Sequence, residues 1–98
     1  MKKKLAGREG VQSLERAAAL LRALGETGRP LSAAELAAAV GIPRPTVYRL
    51  LETLCAEGWV AQNGRSYTIG AAVLWLAARR LGQLELRTVG RPVLEALR

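Results

Sequence analysis

The sequence contains no histidine, no aspartate and no phenylalanine, and it has a single cysteine. Without histidine or aspartate, neither a Ser-His-Asp triad nor a Cys-His pair can be assembled, and the commonest zinc ligands are missing. One cysteine excludes an internal disulfide, so nothing in the sequence indicates an oxidising compartment. We therefore expect no catalytic residues, no metal site and no cofactor, and we predict that the chain is not an enzyme.

Long apolar runs are also missing, although half of the 98 residues are hydrophobic. No uncharged stretch reaches the roughly 20 residues that a membrane-spanning helix needs. The basic start of the chain is not followed by an apolar run of signal-peptide length. We therefore expect a cytoplasmic protein without a membrane partner.

Positive charge is in excess, since 15 lysines and arginines against 8 acidic residues give a net charge of +7. Such a surplus in a small chain favours nucleic acid or another acidic surface as the partner. The surplus lies at the two ends, because residues 31–58 carry only two basic groups and three acidic ones. A purely electrostatic binder would not need that nearly neutral middle, so individual residues there have to carry its function.

The first part of the chain predicts a basic arm followed by an amphipathic helix. Residues 1–10 are charged and contain glycine, which is typical of a flexible arm. Ser13 is the expected N-cap of the helix, and glycines and a proline between residues 25 and 30 are expected to end it. Helical spacing predicts a core-facing stripe of Leu14, Ala17, Ala18, Leu20, Leu21 and Leu24.

Two more helices are predicted in the middle of the chain. Ser32 and Glu35 have the spacing of a capping box, which predicts a short helix over residues 33–40 that Gly41 ends. A third helix is expected over residues 44–57, and Gly58 is expected to end it. The predicted buried stripe of this third helix is Val47, Leu50, Leu51 and Leu54.

A β-hairpin and a further helix complete the pattern. Two β-like runs, residues 59–61 and 66–69, flank Asn63-Gly64, a strong signal for a hairpin turn. Helical spacing resumes from residue 71 to about residue 86. The expected fold is mainly α with a small β-hairpin: a winged helix-turn-helix over residues 11–70, with a three-helix core and a two-stranded wing. Residues 71–98 then form a linker helix for dimerisation.

In a helix-turn-helix, the second helix enters the major groove of DNA and its outer face meets the base edges. With Val47 facing inward, Arg49 points outward and Arg44 lies at the N-terminal tip. Arginine can donate two hydrogen bonds to guanine, so both side chains are expected to read bases. Tyr48 either contacts DNA or packs at the edge of the core. The predicted DNA-binding residues are Ser32, Arg44, Pro45, Thr46, Tyr48, Arg49, Asn63, Gly64 and Arg65.

The run from Thr46 to Leu51, followed by Leu54 and Gly58, resembles the recognition helix of the IclR family of bacterial transcriptional regulators. Residues 11–17, 67–70 and 91–97 are similar to the same family. The resemblance implies a sequence-specific regulator that binds double-stranded DNA. Family members usually continue into an effector-binding domain, so we expect a small-molecule effector only through a domain that this chain does not contain.

The last helix has more apolar surface than a three-helix core can cover. The residues expected to form a two-fold interface are Leu20, Leu74, Leu81 and Leu84. A homodimer would present two recognition helices to a near-palindromic operator.

Two other functions compete with DNA recognition. A winged helix can also be a protein-interaction module without specific DNA recognition, for which a hydrophobic or acidic face on the third helix would be typical. A structured-RNA binder fits the charge, but the sequence lacks the exposed aromatic residues of a sheet that binds RNA. For the remaining notable side chains, Cys55, Trp59 and Trp75, we expect packing roles. Lys2, Lys3 and Lys4 fit a DNA-contacting arm and a solubilising tail equally well.

Overall fold

The computed structural model describes the backbone of residues 3–84 and the side chains of residues 11–84. Helices and strands follow in the order α1 (Lys3–Thr27), β1 (Leu31–Ser32), α2 (Ala33–Val40), α3 (Arg44–Ala56), β2 (Val60–Asn63), β3 (Ser66–Ile69) and α4 (Ala71–Gln83). The strands form one antiparallel sheet in the order β1-β3-β2. This order of helices and hairpin confirms the predicted winged helix-turn-helix architecture.

Helix α2 begins and ends at the residues that the sequence indicates. The Ser32 hydroxyl accepts a hydrogen bond from the Glu35 amide at 3.1 Å, and the Glu35 carboxylate accepts one from the Ser32 amide at 2.9 Å. This is the predicted capping box. Gly41 adopts a left-handed φ of +70°, and its amide and that of Ile42 both donate to the Ala37 carbonyl. The turn into α3 is therefore short and closed by backbone hydrogen bonds.

Helix α3 ends in a Schellman motif around Gly58, whose φ is +79°. The Trp59 amide donates to the Leu54 carbonyl at 2.9 Å, and the Gly58 amide donates to the Cys55 carbonyl at 3.0 Å. These two bonds satisfy carbonyls that the helix end would otherwise leave without a partner. Trp59 packs against the core, as predicted.

The core lies where α1, α2, α3 and the sheet meet. Its buried members are Leu20, Leu24, Leu31, Ala33, Leu36, Ile42, Val47, Leu51, Leu54, Val60 and Tyr67. Val47 and Leu51 confirm the predicted inner stripe of α3, since they are almost completely buried. The outer face of α3 is therefore determined as the sequence predicts.

Helix α1 differs from the prediction at its N-terminal end. It begins at Lys3, so residues 3–10 do not form the predicted flexible arm and Ser13 is not an N-cap. The glycines of this segment each cost about 1 kcal/mol in a helix, which is not enough to stop one that neighbouring good helix formers extend. Leu14 is 71% exposed rather than buried. The core begins only at Ala17, so the first turns of α1 extend past it.

Leu20 was expected at a dimer interface, and the structure corrects this assignment. Its side chain is 0% exposed and belongs to the core cluster. Helix α1 packs against α2, α3 and β3, and these elements together cover its inner face. Leu20 is thus a core residue that no partner chain can reach.

The sheet differs from the sequence prediction in two ways. Strand β1 pairs with β3, which makes the predicted two-stranded wing part of a three-stranded sheet. The hairpin loop is Gly64-Arg65 rather than Asn63-Gly64, because Asn63 still pairs with Ser66. Gly64 has a φ of +66°, whereas no residue other than glycine has a positive φ in the described chain. A positive φ at the first central position alone is typical of a type II′ turn, which favours glycine there.

Backbone contacts join the start of α4 to the end of α3. The Gly70 amide donates to the Trp59 carbonyl at 2.8 Å, and the Ala72 amide donates to the Gly58 carbonyl at 3.0 Å. A side-chain carbon added to Gly70 would collide with the Gly58 carbonyl oxygen and with backbone atoms of Trp59 and Val60. Only glycine fits at this junction.

Helix α4 contains no buried residue. Leu74, Trp75 and Leu76 are 61%, 59% and 45% exposed. The prediction that Trp75 packs is therefore wrong for the described chain, because most of its side chain lies in solvent. The Arg79 guanidinium lies 5.0 Å from the centre of the Trp75 ring, in a cation–π contact.

Some predictions fall on residues that the structure does not describe. The end of the predicted last helix, the segment 91–97 and the side chains of Lys2, Lys3 and Lys4 lie outside the described residues. Among the residues that are described, no helix is both long enough and apolar enough to cross a membrane.

Candidate nucleic-acid interface

A groove of about 550 Å³ lies between the start of α2, the first turns of α3 and the hairpin. The residues that line it are Ser32, Ala33, Ala34, Arg44, Tyr48, Gln62, Gly64, Arg65 and Tyr67. We call it the hairpin groove. Five of these residues were predicted to bind DNA from the sequence: Ser32, Arg44, Tyr48, Gly64 and Arg65. The fold thus brings together residues that are up to 33 positions apart in the chain.

A smaller groove of about 400 Å³ lies on the other side of Tyr48, and we call it the helix groove. Its lining consists of Tyr48, Arg49, Leu51, Glu52, Cys55, Gln62 and Tyr67. Arg44 therefore belongs to one groove and Arg49 to the other, with Tyr48 between them. Tyr48 is 55% exposed, so it does not pack into the edge of the core.

The first turn of α3 presents Arg44 on a rigid backbone. Pro43 precedes the helix and Pro45 lies within its first turn, where a missing amide hydrogen costs nothing and φ is already helical. The amides of Thr46 and Val47 both donate to the Pro43 carbonyl at 3.0 Å. The tip of the helix is thus held by its own backbone, and the Arg44 side chain extends from it into solvent.

Side-chain hydrogen bonds hold the tip of the hairpin. The Gln62 amide group donates to the Gly64 carbonyl at 3.0 Å, and the Ser66 hydroxyl donates to the Asn63 carbonyl at 3.1 Å. These bonds bracket Arg65, whose side chain is exposed. Of the other predicted residues, Pro45, Thr46 and Asn63 line neither groove.

Positive charge dominates the hairpin groove. Arg44 and Arg65 line it, and no acidic residue does. Within residues 11–84 a single ion pair forms, between Arg29 and Glu35 at 3.3 Å, so neither groove arginine is neutralised by a pair there. An exposed concave surface of this charge attracts anions.

Glu35 lies close to the start of α2 but serves the helix rather than the groove. The hydrogen bond from the Ser32 amide, followed by that from Arg29, holds the pKa of its carboxyl below the ordinary value. The Ser32 amide and the Arg29 guanidinium thus both hold the Glu35 carboxylate at the start of α2.

Gln62 and Tyr67 also belong to the site, although the sequence did not predict them. They are cross-strand partners in the sheet and line both grooves. In a strand of four residues, alternation cannot distinguish a core position from the floor of a groove, so no sequence signal separated them. Cys55 is half-buried against the core, as predicted, and burial raises the pKa of its thiol.

A sequence model of the IclR helix-turn-helix domain matches residues 13–64, which run from within α1 to the turn of the hairpin. The chain belongs to the IclR family. The glycerol operon regulatory protein of Streptomyces coelicolor is 42% identical over 79 residues, which are 79% of this chain and 31% of that protein. The transcriptional repressor IclR of Escherichia coli is 34% identical over 89 residues, which are 89% of this chain and 32% of that protein.

The architecture is also similar to that of solved members of the IclR family. An IclR family transcriptional regulator from Brucella abortus aligns with a TM-score of 0.67 and 34% identity, over 83% of this chain and 32% of that one. This chain spans about a third of the length of the curated relatives it matches. The curated relatives that match are named as regulators of transcription.

The winged helix also occurs within enzymes. The S-adenosylmethionine-dependent methyltransferase SibL aligns with a TM-score of 0.54 and 32% identity, over 82% of this chain and 23% of that one. A fold alone therefore does not decide the function, which has to be argued from the surface of α3 and the two grooves.

Proposed function

We propose that this chain is a sequence-specific transcriptional regulator that inserts α3 into the major groove of double-stranded DNA. The carrying observation is the exposed face of α3, where Arg44 and Arg49 lie on either side of Tyr48 and Arg44 lines the hairpin groove, which has no acidic lining. A hydrophobic or acidic face would instead favour the protein-interaction module. Membership of the IclR family supports the same function.

The proposed contacts divide into two kinds. Arg44, Thr46, Tyr48 and Arg49 are assigned to base reading, because they lie on or beside the outer face of α3. Ser32 and Arg65 are assigned to the phosphate backbone, because they lie across the hairpin groove from that face. Phosphate contacts position the protein, whereas contacts to base edges distinguish sequences.

A homodimer is part of the proposal. The exposed apolar side chains of α4 support it, with Leu74 the most exposed of the predicted interface residues. Leu81 and Leu84 are half-buried at the end of the described helix. Two copies joined along α4 would present two α3 helices to a near-palindromic operator.

The first experiment is selection of the whole chain against a pool of randomised duplex DNA at moderate salt. We expect enrichment of a near-palindromic site. Retention without enrichment that disappears as salt rises would contradict specific recognition, and it would assign the binding to the charge of +7 alone.

Two arginine variants then test the division of contacts. Arg49→Ala should lower discrimination at one base pair of each half-site by about 1–3 kcal/mol, since a bidentate contact to guanine is lost. Arg65→Ala should weaken all sequences about equally and reduce the salt dependence by about one released counterion. Equilibrium binding to the selected and a scrambled duplex measures both effects.

Arg22→Ala is the matched control, because Arg22 is exposed on α1 and lines neither groove. It removes the same charge and should change neither discrimination nor affinity by a comparable amount. If the two groove variants behave alike on the matched and scrambled duplexes, the assigned roles are wrong.

A further inference from the structure

Tyr67 lies at the most constrained position of the sheet. It is in β3, the central strand, and pairs with Leu31 on one side and Gln62 on the other. Its side chain is 6% exposed and belongs to the core cluster. The backbone and the ring are therefore both held, and the position of the hydroxyl is set by the fold.

The hydroxyl of Tyr67 has no protein partner among the described residues. The Tyr67 hydroxyl forms no hydrogen bond within residues 11–84. In the same residues, every polar side-chain atom that is fully shielded from solvent has a hydrogen-bond partner. The hydroxyl must therefore remain open to solvent, although the residue is nine-tenths buried. Because Tyr67 lines the hairpin groove and the helix groove, the opening lies at the floor between them.

The groups on the hairpin-groove side of Tyr67 suit an anion, whereas the helix groove on its other side contains Glu52. Arg44 and Arg65 supply positive charge to the hairpin groove, and the first turn of α2 lies along its edge at Ala33 and Ala34. The capping box already occupies the Glu35 amide and places the Glu35 carboxylate at this end of α2, so within this turn only the amides of Ala33 and Ala34 are left without a carbonyl partner in the helix. Burial raises the pKa of Tyr67, and Cys55 and Tyr48 add to the rise, so the hydroxyl keeps its proton and can donate.

We propose that the Tyr67 hydroxyl donates a hydrogen bond to one phosphate of the DNA backbone in the hairpin groove, as a positioning residue for α3. This inference rests on the proposed DNA-binding function. An arginine on the surface must lose rotamer freedom to hold a phosphate, whereas the Tyr67 ring is already immobilised in the core. The contact therefore determines how far the hairpin and the tip of α3 stand from the backbone, independently of base sequence.

The test is Tyr67→Phe in the whole chain, with binding measured on the selected duplex and on a scrambled one. We expect about a tenfold loss of affinity for each half-site that a Tyr67 contacts, on both duplexes, which is the size of one hydrogen bond to a charged acceptor. The salt dependence should not change, because no charge is removed. The melting temperature should stay within a few degrees of the original, since the ring and its packing remain.

Thr68→Val is the matched control, because Thr68 is the next residue of β3 and lines neither groove. It also removes one hydroxyl and should leave DNA affinity unchanged. Tyr67→Phe with unchanged affinity would overturn the inference while the proposed function stands. A loss of affinity that follows a loss of melting temperature would also overturn it, because the role would then be structural.

Inorganic phosphate distinguishes a DNA phosphate from a free anion. The chain and Tyr67→Phe are each titrated with phosphate alone, and binding is followed by isothermal titration calorimetry, which does not depend on the tyrosine itself. A saturable site that Tyr67→Phe abolishes without changing DNA affinity would assign the groove to a free anion and overturn the proposal. If the unaltered chain binds neither duplex, the proposed function fails, and this inference fails with it.

Discussion

The winged-helix region, residues 11–70, and helix α4 use apolar residues in opposite ways. All eleven buried core residues lie before Gly70, whereas α4 has none. Yet α4 carries Leu74, Trp75 and Leu76 on its surface. The first region closes a core by itself, whereas the second is a helix with no buried residue, whose three largest exposed apolar side chains remain 45% to 61% exposed within the described residues. Apolar content therefore indicates burial only where other elements are positioned to provide it.

Two leucine variants, one in each region, test this difference and should give the largest change in the free energy of unfolding. Leu51→Ala removes a side chain that is 1% exposed, so we expect a loss of about 2–5 kcal/mol in the free energy of unfolding. Leu74→Ala should change that free energy by less than about 0.5 kcal/mol at concentrations where the chain is monomeric. Urea denaturation measures both.

The same pair tests the proposed homodimer. Leu74→Ala should weaken self-association in sedimentation experiments, while a monomer at tens of micromolar for the unaltered chain would count against the dimer. Equal destabilisation by the two variants in dilute solution would show that α4 packs within one chain and would remove the contrast between the two regions.

Glycine substitutions test the junction between the regions, with the next largest effect. Gly70→Ala places a carbon against backbone atoms that cannot move away without breaking hydrogen bonds, so we expect a cost near 3 kcal/mol. Gly25→Ala is the control, since it lies in α1 with open space around it and should stabilise the helix by about 0.5–1 kcal/mol. Thermal unfolding of both variants measures these changes in stability. A neutral Gly70→Ala would mean that the two regions separate at no cost.

The smallest effect concerns pH and lies wholly within the winged-helix region. The pKa of Glu35 is lower in the folded chain, so its contribution to stability is complete above the ordinary carboxyl pKa near 4.3 and is lost as pH falls through the folded value. Glu35→Gln should therefore flatten the fall in melting temperature between pH 6 and pH 3. Glu15→Gln, an exposed carboxylate on α1, is the control. Parallel curves for Glu35→Gln and the unaltered chain would exclude this contribution.

Local signals account for the parts of the fold that could be predicted from the sequence. The capping box at Ser32 and the left-handed glycines at residues 41 and 58 act within a few residues, so their chemistry is visible in the chain. Leu14 and Leu20 belong to the same predicted core-facing stripe of α1, but in the structure Leu14 is exposed and Leu20 is buried. What separates them is the set of elements packed on α1, which no pattern within α1 contains.

The candidate site was predictable where exposure follows from a long helical period. Val47 as an inner residue determines the outward direction of Arg49, and the structure agrees. The hairpin is different, because its turn lies one residue later than Asn63-Gly64 indicates. That displacement sets which residue of β2 faces Tyr67, and with it the floor of both grooves. Short strands carry too few residues to specify such pairing by alternation.

The joint at Gly58 and Gly70 has a consequence for how this protein can diverge. The end of α3 is tied to the start of α4 by carbonyl and amide groups that every residue carries. A substitution changes a side chain and leaves the backbone amide and carbonyl groups in place. Mutations at the neighbouring positions should therefore change the angle between α3 and α4 very little. The direction of α4 can thus be inherited unchanged while the residues on α3 are exchanged for others that recognise a different sequence.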